Sequence, residues 1–237
     1  MSLIVVSANK HRAVMSADSR GMNGAVVTGN DFEKIFAAGQ HTVVGINGQL
    51  DLTASGLRAS TVIGEMCRRR ALQDKPLDFL RAVEREIVPY LKELYRHNPL
   101  PPEGDFVFTV CVLKRAPWGV VELREVRMFG KNGVLECERL THHVGQIDRR
   151  FVWNSSFHQP KSAQHINPEE PDDMVLAAID TCYSDSAEAA RGSDAVSPIG
   201  PASAVCAIEP GGIRWIRKPT ARKGLLAALR ERFGIAA

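Results

Sequence analysis

The chain has 237 residues, of which 44% are hydrophobic and 24% charged, with a formal net charge of +3. That is length enough for a sizeable core, in the composition range of ordinary globular proteins. The near-balanced charge, without a dense basic stripe interleaved with aromatics, argues against a nucleic-acid partner. The basic run from Arg214 to Arg232 near the C-terminus reads as a solvated face.

Cysteines number five (Cys67, Cys111, Cys137, Cys182 and Cys206) and are widely spaced, with no CxxC or paired Cys/His pattern. Neither a zinc site nor a disulfide framework is indicated, and the thiols read as small core residues in a reducing compartment. The apolar run Leu3–Val6 is too short for the apolar region of a signal peptide, and no stretch approaches a membrane span. A cytoplasmic protein with no membrane partner is expected.

In chain order, Leu3–Val6 and Ala13–Met15 predict two strands, separated by the hairpin-like break Asn9-Lys10-His11-Arg12. Gly21 to Asn30 carries three glycines and predicts a loop. Lys34-Ile35-Phe36 leads to a third strand, Thr42–Ile46, ended by the turn signal Asn47-Gly48. Asp51 to Leu72 has helical apolar spacing, and Arg68-Arg69-Arg70 near its end suits the helix dipole. A second helix is predicted from Pro76 to about Tyr95, with a kink or break at Pro89.

A proline-rich linker at 98–104 precedes three strands, Phe106–Leu113, Val120–Met128 and Val134–Arg139. Between Arg149 and Asp172 only Phe151–Trp153 suggests a strand. Met174 to about Ala190 is amphipathic and stops at Gly192. A final hairpin, Ala202–Ile208 and Ile213–Ile216 across Gly211-Gly212, precedes a short helix from about Ala221 to Phe233. Strands, two helices, strands, one helix, strands is neither alternating βαβ nor all-β. It predicts an α+β sandwich of two sheets covered by helices, in a single domain over residues 1–237.

Chemistry concentrates at the chain start. Amide hydrolysis needs a nucleophile, a base to take its proton and donors for the oxyanion. Removal of Met1 would expose Ser2, with a hydroxyl and a free α-amine on one residue, and such an amine titrates at about 7.7–8.0. Asp18 and Arg20 stand at the end of the second strand, Lys34 ahead of the third, and Gly48 at its end.

The spacing of Ser2, Asp18, Arg20, Lys34 and Gly48, within the segments ADSRG, KIF and GINGQ, resembles the catalytic β-subunits of the proteasome. These belong to the N-terminal-nucleophile hydrolases, and the match is to the bacterial proteasome-homologue type. The resemblance implies a four-layer αββα sandwich and a serine acting where the family has a threonine-type nucleophile. Carried over residue by residue, it makes Ser2 the nucleophile, Asp18 and Lys34 its orienting and charge-tuning pair, and Gly48 N–H the oxyanion donor. Arg20 supports them. Asp194-Ala195-Val196-Ser197 matches the family's later Asp-x-x-Ser and nominates Asp194 and Ser197; the pocket region corresponds to Gly21, Met22 and Phe32.

The family's serine in a glycine-rich loop of the second half finds its nearest counterpart in Trp153-Asn154-Ser155-Ser156. No metal or cofactor is implied. The implied partners are a peptide or polypeptide substrate, further copies of the chain in a ring, and an unspecified unfoldase. Two other readings stay open: a catalytically silent proteasome-like scaffold, and an acyl transferase or small-amide hydrolase using the same N-terminal chemistry.

Overall fold

The computed structural model describes residues 3–23, 26–29, 32–53, 56–100, 106–147, 150–155, 160–191, 197 and 199–218, with backbone alone at 21–23 and 26–29. The predicted helix at 221–233 and the stop at Gly192 lie outside the described residues, as does part of the linker at 98–104.

The fold is mixed α+β, with two five-stranded antiparallel sheets. The chain opens with β1 (Ile4–Ala8) and β2 (Ala13–Asp18), joined where Asn9 Oδ1 accepts the amides of His11 and Arg12, both at 2.8 Å. Asparagine favours such a turn because its side chain mimics the backbone acceptor. The region predicted as a loop from Gly21 is instead a small hairpin, β3 (Gly21–Asn23) with β4 (Val26–Gly29). Three glycines within nine residues obscured it. β5 (Ile35–Ala37) and β6 (Thr42–Gly48) follow.

The first helix, α1, spans only Ala59–Arg68. Leu52 and Leu57, which fit a helical period, instead face each other across a turn closed by Leu52 N–H to Leu57 O at 2.7 Å. The second predicted helix divides as expected into α2 (Pro76–Glu86) and α3 (Val88–Arg96). Pro89 sits in the first turn of α3, where its missing N–H costs no hydrogen bond.

β7 (Phe106–Arg115), β8 (Val120–Lys131) and β9 (Val134–Gln146) are long and follow one another directly. Asn132 and Gly133, both at positive φ (50° and 73°), close the β8–β9 hairpin as a two-residue turn. β10 (Phe151–Asn154) pairs with β1, and a short 3-10 helix, Lys161–His165, follows. The chain then enters the long helix α4 (Asp172–Arg191) and the hairpin of β11 (Ala202–Glu209) and β12 (Gly212–Arg217).

The first sheet has the order β10-β1-β2-β11-β12 and the second β5-β6-β7-β8-β9. Three apolar clusters organise them. Ile4, Val6, Met15 and Cys206 of the first sheet share one with Val43, Cys111 and Leu123 of the second. The second sheet's other side (Val44, Ile46, Val110, Val126) clusters with Ile63, Phe79, Leu80, Val83 and Leu91 of α1–α3. Leu3, Val5, Val14 and Val205 cluster with Val175, Ile179 and Tyr183 of α4. Side chains alternate along β1 and β2 between the partner sheet and α4, the period expected of strands buried on both faces.

Candidate functional site

Asp18 is the last residue of β2, on the α4 side by strand alternation, where the chain leaves the sheet. Its carboxylate is fully buried and collects four donors. Oδ1 accepts the amide of Leu3 at 3.0 Å; Oδ2 accepts those of Arg20 at 3.1 Å and Gly200 at 3.3 Å. Lys34 Nζ lies 3.2 Å from both oxygens. A buried carboxylate needs such donors, because removing it from water without them is prohibitive.

Lys34, just before β5, is equally buried, and its ammonium also donates to the Arg20 carbonyl at 2.6 Å. Burial pushes the Lys34 pKa below its ordinary 10.5; the Asp18 carboxylate opposes the shift, and the charge of Arg20 adds to it. The ammonium therefore releases its proton more readily than a surface lysine would.

The Arg20 guanidinium reaches two backbone carbonyls across the site. Nη1 donates to the carbonyls of Ser197 at 2.7 Å and Ile199 at 3.3 Å, tying the end of β2 to the segment before β11. Ser197 is buried, and its Oγ accepts the Ile199 amide at 3.1 Å. Its hydroxyl and carbonyl thus brace this segment, whose Gly200 amide reaches Asp18. The four residues Asp18, Arg20, Lys34 and Ser197 are connected directly or through backbone. Ser2 and Asp194 lie outside the described residues.

Gly48 ends β6 at φ +100°, and a Cβ there would stand 2.3 Å from the Val107 carbonyl oxygen. Backbone geometry alone demands glycine at this position. Beside it, Asn47 Nδ2 donates to Ser155 Oγ at 3.0 Å, and the same oxygen accepts the Ile4 amide at 2.9 Å. Ser155, just after β10, thereby links the start of β1 to the end of β6. In the pocket region, Phe32 lies under the Arg58 guanidinium, 4.8 Å from ring centroid to Cζ, and its amide donates to Ser19 O at 3.1 Å. Gly21 and Met22 belong to β3.

Two side chains at this site are not identifiable from sequence pattern. Tyr183 of α4 and Ser16 of β2 meet at the chain start, where the tyrosine hydroxyl donates to the Leu3 carbonyl at 3.0 Å and lies 3.3 Å from Ser16 Oγ. In sequence, Tyr183 reads as one more apolar position on the helix face. Its only polar signal is that a tyrosine hydroxyl on a buried stripe must find a partner.

Among the described residues, no group of His, Cys, Asp and Glu could hold a metal ion, and no helix is long and apolar enough to cross a membrane. No protein-family model matches the chain, and no curated protein matches it in sequence.

Proposed function

We propose that this chain is an N-terminal-nucleophile amide hydrolase of the proteasome-like kind, a peptidase folded as one four-layer αββα sandwich. Ser2 is its nucleophile once Met1 is removed. The observation that carries the reading is the buried Asp18–Lys34 pair bonded to the amide of Leu3. Isolating two charges from water is costly and adds little net stability. Here that cost falls at the residue bonded covalently to Ser2, where a positive charge has chemical use.

In this reading, Lys34 depresses the pKa values of the Ser2 hydroxyl and α-amine through its charge, and Asp18 holds it in place. The free α-amine accepts the hydroxyl proton as Ser2 Oγ attacks the substrate carbonyl carbon. The oxyanion is held by the Gly48 N–H. The protonated amine then delivers its proton to the leaving amine, and water hydrolyses the acyl ester to regenerate Ser2. Asp194 and Ser197 support the site, Arg20 anchors it, and Gly21, Met22 and Phe32 border the substrate. The substrate is a peptide or polypeptide, and the working form is a cytoplasmic homo-oligomeric ring.

The test compares wild type with Ser2→Ala on a panel of fluorogenic peptide amides, with intact mass confirming that Met1 is absent. Turnover by wild type alone is the expected result. Met1 retained in active protein would overturn the mechanism. Inert protein lacking Met1 would favour a silent scaffold instead.

A further inference from the structure

We infer that Tyr183 is a positioning residue for the N-terminal nucleophile, acting through the Leu3 carbonyl; the inference rests on the hydrolase reading above. Tyr183 is 1% exposed on α4, among Leu3, Val5, Val14 and Val205. A phenylalanine would fill the same volume without bringing a hydroxyl that must be taken out of water. The hydroxyl is therefore the informative atom, and it points at the chain start. Burial pushes the phenol well above its ordinary value of 10.0, so it remains a donor at any working pH.

The contacts around Leu3 show what that donor does. The peptide plane that joins residue 2 to Leu3 is held through the Leu3 N–H, which bonds Asp18 Oδ1 at 3.0 Å. The next plane is held at both ends. Its carbonyl accepts the Tyr183 hydroxyl at 3.0 Å and the Asp18 amide at 3.3 Å, while its N–H, from Ile4, bonds Ser155 Oγ at 2.9 Å.

A peptide unit is rigid and planar, so fixing two successive units fixes the one pair of soft torsions between them, those of Leu3. With that pair set, the Leu3 N–H, to which the nucleophile is joined in the hydrolase reading, keeps one place beside the Asp18–Lys34 pair. Ser16 Oγ lies 3.3 Å from the phenol oxygen. Since the phenol has a single hydrogen, both bonds form together only if the serine donates the second. Tyr183 is thus itself held, and α4 becomes the fixed wall against which Leu3 is registered.

The experiment measures inactivation of wild type, Tyr183→Phe and the double variant Ser16→Ala/Tyr183→Phe by a peptide epoxyketone, separating kinact from KI, with Tm for each. Tyr183→Phe should lower kinact about tenfold, within the roughly hundredfold that a 1 Å misplacement can cost. KI should stay within about twofold, because the substrate cleft is untouched. The double variant removes both hydroxyls and leaves no orphaned partner, so its Tm should recover towards wild type. If Tyr183 positions the nucleophile, kinact stays low in the double variant although stability returns.

Recovery of kinact together with Tm, or a Tyr183→Phe rate equal to wild type, would overturn the positioning role while leaving the hydrolase reading intact. Should Tyr183→Phe fold poorly, the double variant decides alone. A wild type lacking Met1 that forms no adduct would overturn the hydrolase reading itself.

Discussion

Replacing Lys34 by methionine keeps most of the stem volume and removes the ammonium. Both side chains of the Asp18–Lys34 pair are 0% exposed, so the remaining carboxylate cannot turn to water. Breaking a buried pair from one side typically costs about 3–5 kcal/mol. Asp18 keeps the amides of Leu3, Arg20 and Gly200, which favours the lower end of that range. The Arg20 carbonyl, however, loses its 2.6 Å partner. A net loss of about 3–4 kcal/mol is expected, within the roughly 5–15 kcal/mol reserve of a folded domain. Urea unfolding followed by the fluorescence of Trp153 and Trp215, which pack against the inter-sheet cluster, reads this directly. The variant should remain folded in buffer and lose amide turnover. A stability loss below about 1 kcal/mol, the size of an exposed pair, would refute the buried geometry on which the site depends.

Three further outcomes follow from other parts of the molecule. Gly48→Ala places a Cβ against the Val107 carbonyl at positive φ and should cost about 2 kcal/mol or more, read as a lower Tm. Asp172, at the start of α4, is held by Arg214 and Arg12, and its pKa is lowered to about 2 from 3.8. The folded state therefore favours the carboxylate: its contribution is fully present above about pH 4 and disappears as pH falls through 2. Asp172→Asn should flatten that part of an acid-unfolding curve. In native protein, a thiol reagent should modify Cys137, the exposed cysteine, while Cys67, Cys111, Cys182 and Cys206 react only after denaturation. Burial pushes Cys67 and Cys206 up to about 12, which suppresses the reactive thiolate as well as access.

Much of the framework was legible because local chemistry and final structure agree. Short β-rich apolar runs marked β1, β2 and β6, the gap between Val120–Met128 and Val134–Arg139 marked the β8–β9 turn, and Pro89 marked the break between α2 and α3. Where they diverge, long-range contacts decide. The short run Phe151–Trp153 did mark β10, which pairs along β1, whereas the 3-10 helix after it was obscured by its polar, proline-containing surroundings. The start of α1 was obscured for a different reason, since Leu52 and Leu57 satisfy a helical period while serving a turn. At the site, the family resemblance implied that Asp18 and Lys34 act as a pair, and their side chains are in contact. The roles of Arg20 and Ser197 depend on carbonyl oxygens, which side-chain identity does not announce. Tyr183 was hidden because its ring obeys the apolar pattern while its hydroxyl serves another element.

The central claim, that Ser2 is a nucleophile activated by its own α-amine, is tested most directly by mapping the adduct of a peptide epoxyketone. That electrophile closes a ring only on a hydroxyl and a free amine carried by adjacent carbons, a pair that only a processed N-terminal serine or threonine supplies. Protein lacking Met1 should carry a single adduct on its first peptide, lost in Ser2→Ala with assembly and Tm nearly unchanged, since removing one hydroxyl spares the core. An adduct on any other residue, or none on Ser2 in folded protein lacking Met1, would contradict the account.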